Sequence, residues 1–229
     1  MIHSGIYVII PAFNEALSID KVIAEIPSFV KEVIVVNNNS RDHTALAAKN
    51  AGATVLDEPR QGYGFACLKG IDYLKGKNAE IVVFLDADYS DFPAELTEVI
   101  RPIEEQAFDM VIGSRYLGQK EAGSMTPQQI FGNWLATRLI KLFFGTTYTD
   151  LGPFRAIKYE KLIALEMVDQ TYGWTVEMQL KAAKKNYKIT EVPVNYRKRI
   201  GKSKVSGTVK GTVMAGYKIL SWIFKYAMK

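Results

Sequence analysis

The sequence has one cysteine, Cys67, and two histidines, His3 and His43, in 229 residues. A lone thiol excludes an intramolecular disulfide framework and any zinc site needing two thiolates from this chain. Two histidines argue against a histidine-rich metal centre. No apolar run reaches the roughly 18 residues of a membrane-spanning helix. Ile6–Phe13 is short and lacks the basic flank of a signal peptide, so the cytoplasm is the expected compartment. Acids are missing from one place: from Val192 to Lys229 there is no Asp or Glu.

The composition that remains is 48% hydrophobic and 23% charged. That describes a folded soluble domain with a sizeable core and excludes a mainly disordered chain. The net charge is +5, unevenly spread. All 24 acids and 20 of the 29 bases lie in residues 1–191, so the body carries −4 and the tail +9. Such polarity suggests an anionic partner for the tail, whether a phosphate group, an anionic membrane surface or nucleic acid. A solvated basic face is the plainer alternative.

Fully apolar runs at Ile6–Ile10, Val33–Val36, Ile81–Leu85 and Met110–Gly113, with Thr54–Leu56, read as strands. Helical spacing separates them at Ala16–Ile26, Asp42–Ala51, Gly64–Leu74 and Pro93–Glu105. Strands that are apolar on both faces and alternate with helices predict an α/β fold with a mostly parallel sheet. Further on, Gln128–Phe144 and Thr175–Lys185 read as helices, Ile189–Arg197 as a strand, and Thr208–Tyr226 as a basic amphipathic helix. The aromatic stripe Phe131, Trp134, Phe143 and Phe144 is read as core rather than as a lipid groove. With no repeat or linker, the expected organisation is one domain over 1–200, with halves 1–118 and 119–200, and a basic extension over 201–229.

In parallel α/β sheets ligands bind at the carboxyl ends of strands. Three polar clusters fall there: Pro11-Ala12-Phe13-Asn14-Glu15, Asn37-Asn38-Asn39-Ser40 and Asp86-Ala87-Asp88. Asp86 and Asp88, two apart in an extended segment, project to one side and repel unless a cation lies between them. Hard oxygen donors favour Mg2+ or Mn2+, ions that usually also bind substrate phosphates. The plainer reading is a cap on the helix entered at Pro93.

These clusters occur within an ordered series: Val8–Glu15, Val35–Ser40, Phe84–Asp88, Gly113–Tyr116, Asp150–Arg155, Trp174–Glu177, Glu191–Val194 and Gly201–Lys204. With this series the chain resembles family 2 glycosyltransferases of the GT-A fold, nearest the dolichyl-phosphate mannose or glucose synthase-like branch, over nearly its whole length. The resemblance implies a nucleotide-sugar donor lined by Pro11, Ala12, Phe13, Asn14, Glu15, Asn38, Asp86 and Ala87. Asp88 would hold the metal, and Arg115 would approach the donor or acceptor phosphates. Glu177 would lie near the sugar and acceptor. Arg197, Arg199, Lys202 and Ser203 would bind the acceptor phosphate. Three departures stand out: Asn37-Asn38 where the family usually has two aspartates, Gly62-Tyr63-Gly64 where it often has Gly-Lys-Gly, and Leu151-Gly-Pro-Phe-Arg155 where it usually has Ser-Gly-Phe-Arg.

The resemblance further implies hexose transfer with inversion from a UDP-glucose or GDP-mannose type donor to a polyprenyl phosphate. Such an acceptor is already anionic and needs no strong base. A hydroxyl acceptor would need one, with Asp91, Asp150 or Glu177 as candidates. Arg155 reads either as a site residue or as a structural ion-pair partner, and Trp174 as core or as a sugar platform. The tail, with Trp222, Ile223, Phe224 and Tyr226 among lysines, is expected to lie on the inner face of the membrane. Nucleic acid is not the expected partner, because no binding module is recognisable. An inactive nucleotide-sugar binder and a homo-oligomer both stay open.

Overall fold

Every residue of β1 (Ile6–Ala12) is buried. An unbroken apolar, β-branched run meets the demands of a strand covered on both faces, so it takes a central place in the sheet. The computed structural model describes residues 5–201, 203 and 208–228. The sheet order is β3 (Thr54–Asp57), β2 (Glu32–Asn37), β1, β4 (Ile81–Phe84), β6 (Arg155–Lys158), β5 (Met110–Ser114) and β7 (Ile189–Pro193). All neighbouring pairs are parallel except those of β6, which runs antiparallel to β4 and β5. The expected α/β architecture is therefore present, with one reversed strand inside it.

Successive β1 side chains face opposite layers. Val8 and Ile10 pack with α1 (Ile19–Ala24), α2 (Thr44–Asn50) and α4 (Leu96–Gln106). Tyr7 and Ile9 pack with α3 (Tyr63–Tyr73), α5 (Pro127–Phe144), α6 (Tyr159–Ala164), α7 (Trp174–Lys184) and α8 (Val209–Ala227). Each fully buried Val or Ile contributes about 1.5–3 kcal/mol relative to exposure. Trp174 is core, edge-on to Phe84 with ring centroids 5.9 Å apart. Cys67 is also buried.

β6 and α6 escape the sequence pattern. β6 is four residues long and begins with a charge, Arg155, which is wholly buried. Its guanidinium donates to the carbonyls of Leu151, Gly152 and Thr175, and burial pulls its pKa down to about 10. Backbone carbonyls thus hold Arg155 inside the fold.

α5 starts at a reciprocal capping box between Thr126 and Gln129, and Gly145 stops it in the left-handed region. Its buried residues are Asn133, Ala136, Thr137 and Ile140. The core reading of its aromatic stripe holds for Phe144, which is partly buried against the core, and is corrected for the others: Phe131, Trp134 and Phe143 are 61%, 53% and 44% exposed. α5 is apolar around most of its circumference, and periodicity alone cannot say which arc meets the sheet. α8 packs on α5 and α7 through buried Trp222 and Ile223. Among the described residues no helix is long and apolar enough to cross a membrane.

Candidate active site

The ends of β1, β2 and β4 converge on a cavity of about 370 Å³. Pro11, Ala12, Phe13 and Glu15 line it from β1, Asn38 from β2, and Asp86, Ala87 and Asp88 from β4. Arg199 and Ser203 close one side. Sequence reasoning did not assign the remaining wall, formed by Gln61, Gly62, Tyr63, Thr171 and Tyr172. Asn14 is not among the lining residues; with φ 55° it turns the chain and accepts a hydrogen bond from the Arg41 amide.

Asn38 is buried, and its amide is fully engaged. Nδ2 donates to the carbonyls of Glu58 and Arg60, and Oδ1 accepts from the Gly62 amide at 2.8 Å. A carboxylate could accept here but could not donate. The amide therefore ties the 58–62 loop to the end of β2 and presents Gly62 and Tyr63 to the cavity. Gly64 is required by close approach, because a Cβ there would lie 2.1 Å from the Asp169 carbonyl oxygen. The amides of Gly64 and Phe65, at the start of α3, donate to the carbonyls of Thr171 and Gln170.

That 168–173 loop is held from below. Glu177, wholly buried, accepts from the Val168 and Asp169 amides and pairs with Lys181 at 2.7 Å. It is not among the cavity-lining residues, contrary to its expected place near sugar and acceptor, because these partners already claim its carboxylate. Asp169 accepts from the Thr171 and Gly173 amides and, at 2.6 Å, from the Trp222 indole of α8.

Two of the expected phosphate ligands also lie off the cavity lining. Arg115 forms a bidentate pair with buried Asp150, both bonds at 2.7 Å, and stacks on Tyr196. Burial disfavours its charge, but Asp150 prevails and raises its pKa well above the ordinary value. Arg197 pairs with Glu25, donates to the carbonyls of Tyr89 and Asp91, and stacks on Tyr89 and Phe92. Lys202, the other expected phosphate ligand, lies outside the described residues, as does Lys204 of the same motif.

Arg199 does reach the acidic cluster. It lies 2.9 Å from Asp88 Oδ2 and 3.0 Å from Glu15 Oε1. Asp88 Oδ1 accepts from the amide and hydroxyl of Ser90. Burial and then the Asp88 charge push the Asp86 carboxyl up to about 7, against the pull of Arg199. Asp91 is buried, and neither carboxylate oxygen has a hydrogen-bond partner among the described residues. Burial and the charges of Asp86 and Asp88 raise its pKa well above the carboxylate range, with Arg115 opposing and Tyr196 alongside.

A carboxyl raised on folding binds its proton more tightly in the folded state, so stability falls as pH rises above the unfolded value near 3.9. Asp91→Asn removes that penalty. In metal-free buffer its thermal midpoint should exceed the parent's by a margin that grows as pH rises above the unfolded carboxylate value. A margin independent of pH would contradict a protonated Asp91.

The family model of glycosyl transferase family 2 matches residues 7–165. The chain belongs to this family. An uncharacterized glycosyltransferase of Mycobacterium tuberculosis is 33% identical over 217 residues, covering 94% of this chain and 96% of that protein. A dolichyl-phosphate hexose transferase of Haloferax volcanii is 29% identical, covering 90% of this glycosyltransferase and 89% of its relative. An undecaprenyl-phosphate mannosyltransferase of Micrococcus luteus is also 29% identical, covering 89% and 88%. Both support the dolichyl-phosphate synthase-like branch. The fold is shared with glucosyl-3-phosphoglycerate synthase from Mycobacterium tuberculosis, crystallised with Mn2+, UDP-glucose and phosphoglyceric acid. The TM-score is 0.78 at 20% identity, over 98% of this chain and 80% of that one. The GT-A architecture expected from the motifs is thus the one observed.

Proposed function

We propose that this glycosyltransferase moves a hexose from a UDP-glucose or GDP-mannose type donor to a polyprenyl phosphate at a membrane surface, with inversion and with Mg2+ or Mn2+. The observation that carries the reading is the paired carboxylates Asp86 and Asp88 at the end of β4, in one cavity with the cation Arg199. A diphosphate needs both a metal-binding carboxylate and a nearby positive group. Among the described residues no three His, Cys, Asp or Glu side chains are grouped to hold a metal by themselves. That donor set fits an ion bound by one or two carboxylates and completed by substrate phosphates and water. Asp88, assisted by Asp86, would hold it, and it would supply Lewis-acid stabilisation of the leaving diphosphate.

The chain's own residues do the rest. Pro11, Ala12, Phe13 and the Gly62-Tyr63 turn form the wall for the nucleotide. Arg199, which lines the cavity beside Asp88 and Glu15, would offer its fork to a phosphate. Ser203 adds a hydroxyl donor. The anomeric C–O bond to the diphosphate breaks, and the nucleoside diphosphate leaves with its electron pair. The acceptor phosphate oxygen forms the new bond from the opposite face. That oxygen is anionic, so no proton needs removing, and Asp91, Asp150 and Glu177 are not required as bases.

Purified protein with Mg2+ or Mn2+ and a panel of labelled nucleotide-sugars is tested against a short polyprenyl phosphate and, in parallel, 3-phosphoglycerate. Label should enter the organic phase from one donor and disappear with Asp88→Ala. Label on 3-phosphoglycerate alone would move the acceptor to the soluble class. No turnover with any donor would favour a nucleotide-sugar binder.

A further inference from the structure

We propose that α5 and α8 together form a docking face for an anionic lipid leaflet, with the exposed Phe131–Trp134 pair of α5 as its inserting edge. The proposal deepens the lipid-phosphate reading above and rests on it. α8 is apolar on two sides. One side, with Trp222 and Ile223, is buried in the core. The other carries Val213, Tyr217, Phe224 and Met228, spaced to share one helix face, and these are 63%, 68%, 44% and 82% exposed. Among the described residues nothing covers most of this second stripe, whose members stay exposed.

The stripe continues onto α5. Phe143 of α5 and Phe224 of α8 meet edge to face, with centroids 5.8 Å apart. Beyond them, Leu142 is 73% exposed, and Phe131 and Trp134 pair at 5.9 Å on the open side of α5. Exposed apolar side chains grouped on two adjoining helices mark an interaction site.

Charge selects the occupant. No acid occurs between Glu121 and Asp150, the stretch that contains α5, nor after Glu191, the stretch that contains α8. Arg138 and Lys141 are exposed on α5, and Lys225 is exposed on α8, above Trp222. Two helices distant in sequence, both free of acids, both basic and both apolar outward, are brought side by side. Apolar and aromatic groups ringed by cations complement the headgroup region of anionic lipid. A second copy of the chain would set these cations against themselves.

The experiment is vesicle co-sedimentation of the full chain with phosphatidylcholine alone and with added phosphatidylglycerol. Trp134 fluorescence is read in parallel, since the other two tryptophans are buried. The parent should bind the anionic vesicles, with Trp134 emission shifting to the blue. The triple variant Phe131→Ser, Trp134→Ser, Leu142→Ser should bind about tenfold more weakly or worse, because partition follows buried apolar area. Arg138→Gln with Lys141→Gln should cost about fivefold per cation, with added salt mimicking the loss. All these side chains are exposed, so an unchanged thermal midpoint and nucleotide affinity certify the fold.

Triple-variant binding equal to the parent's would overturn the proposal, as would equal binding to neutral vesicles. A dimer by light scattering that the triple variant dissolves would also overturn it, by assigning the face to a second copy. Vesicle binding in a protein that transfers sugar only to 3-phosphoglycerate would leave the docking face standing and remove the acceptor reading, so the two failures are distinct.

Discussion

Asp88→Asn is expected to lower sugar transfer by about three orders of magnitude with little change in stability. The side chain is buried, and one oxygen accepts from Ser90 while the other faces Arg199. Asparagine keeps an acceptor for Ser90 and the same volume, so the turn after β4 survives. It removes a charge crowded against Asp86, which offsets the loss of the Arg199 pair. What disappears is the fixed negative charge that would bind a divalent cation against the leaving diphosphate. Isothermal titration with Mn2+ and nucleotide should show the metal-dependent part of binding lost, alongside turnover. Transfer within tenfold of the parent would dismiss Asp88 as the metal carboxylate.

Glu177→Ala should do the reverse: a large loss of stability, weaker nucleotide binding, and near-normal turnover at saturating donor. It leaves the Lys181 ammonium and the Val168 and Asp169 amides without their carboxylate. Breaking a buried ion pair on one side costs about 3–5 kcal/mol, and in a chain of this size that lowers the thermal midpoint by about 10 °C. The loop it holds carries Thr171 and Tyr172 into the cavity wall, and its carbonyls accept from the start of α3. Its loosening therefore raises KM for the donor. Glu177→Gln, which keeps an acceptor and the side-chain volume, should recover part of both losses. A stable Glu177→Ala protein with kcat reduced a hundredfold would instead place the carboxylate against sugar or acceptor, as the motif implied.

The two variants mark where sequence reasoning reached and where it stopped. β1, β2 and β4 were legible because strands buried on both faces must be apolar throughout, and polar residues at their carboxyl ends stand out against that background. Asp86, Asp88, Glu15 and Pro11–Phe13 follow from that contrast, and they do meet in one cavity. Asn38 was legible as a place but not as a role, since its partners lie on the 58–62 loop. Tyr172 and Thr171 carried no local signal; they reach the cavity only because Glu177 and Asp169 hold their loop.

Charged residues divided in the same way. The sequence by itself determined an α/β chain of the family 2 type, with an acidic pair at one strand end and a tail free of acids. The α/β class, the acidic pair and the acid-free tail follow from local period and composition, and the family from the order of its motifs. Tertiary structure alone decided which charges line the cavity. Arg115 is claimed by Asp150 and Arg197 by Glu25, partners distant in the chain, while Arg199 lies in the cavity. It also decided that α5 turns Asn133, Ala136, Thr137 and Ile140 inward and leaves Phe131, Trp134 and Phe143 exposed. A charge is neutralised, and an apolar arc covered, by whatever the fold brings within a few ångströms, and sequence spacing does not encode that proximity.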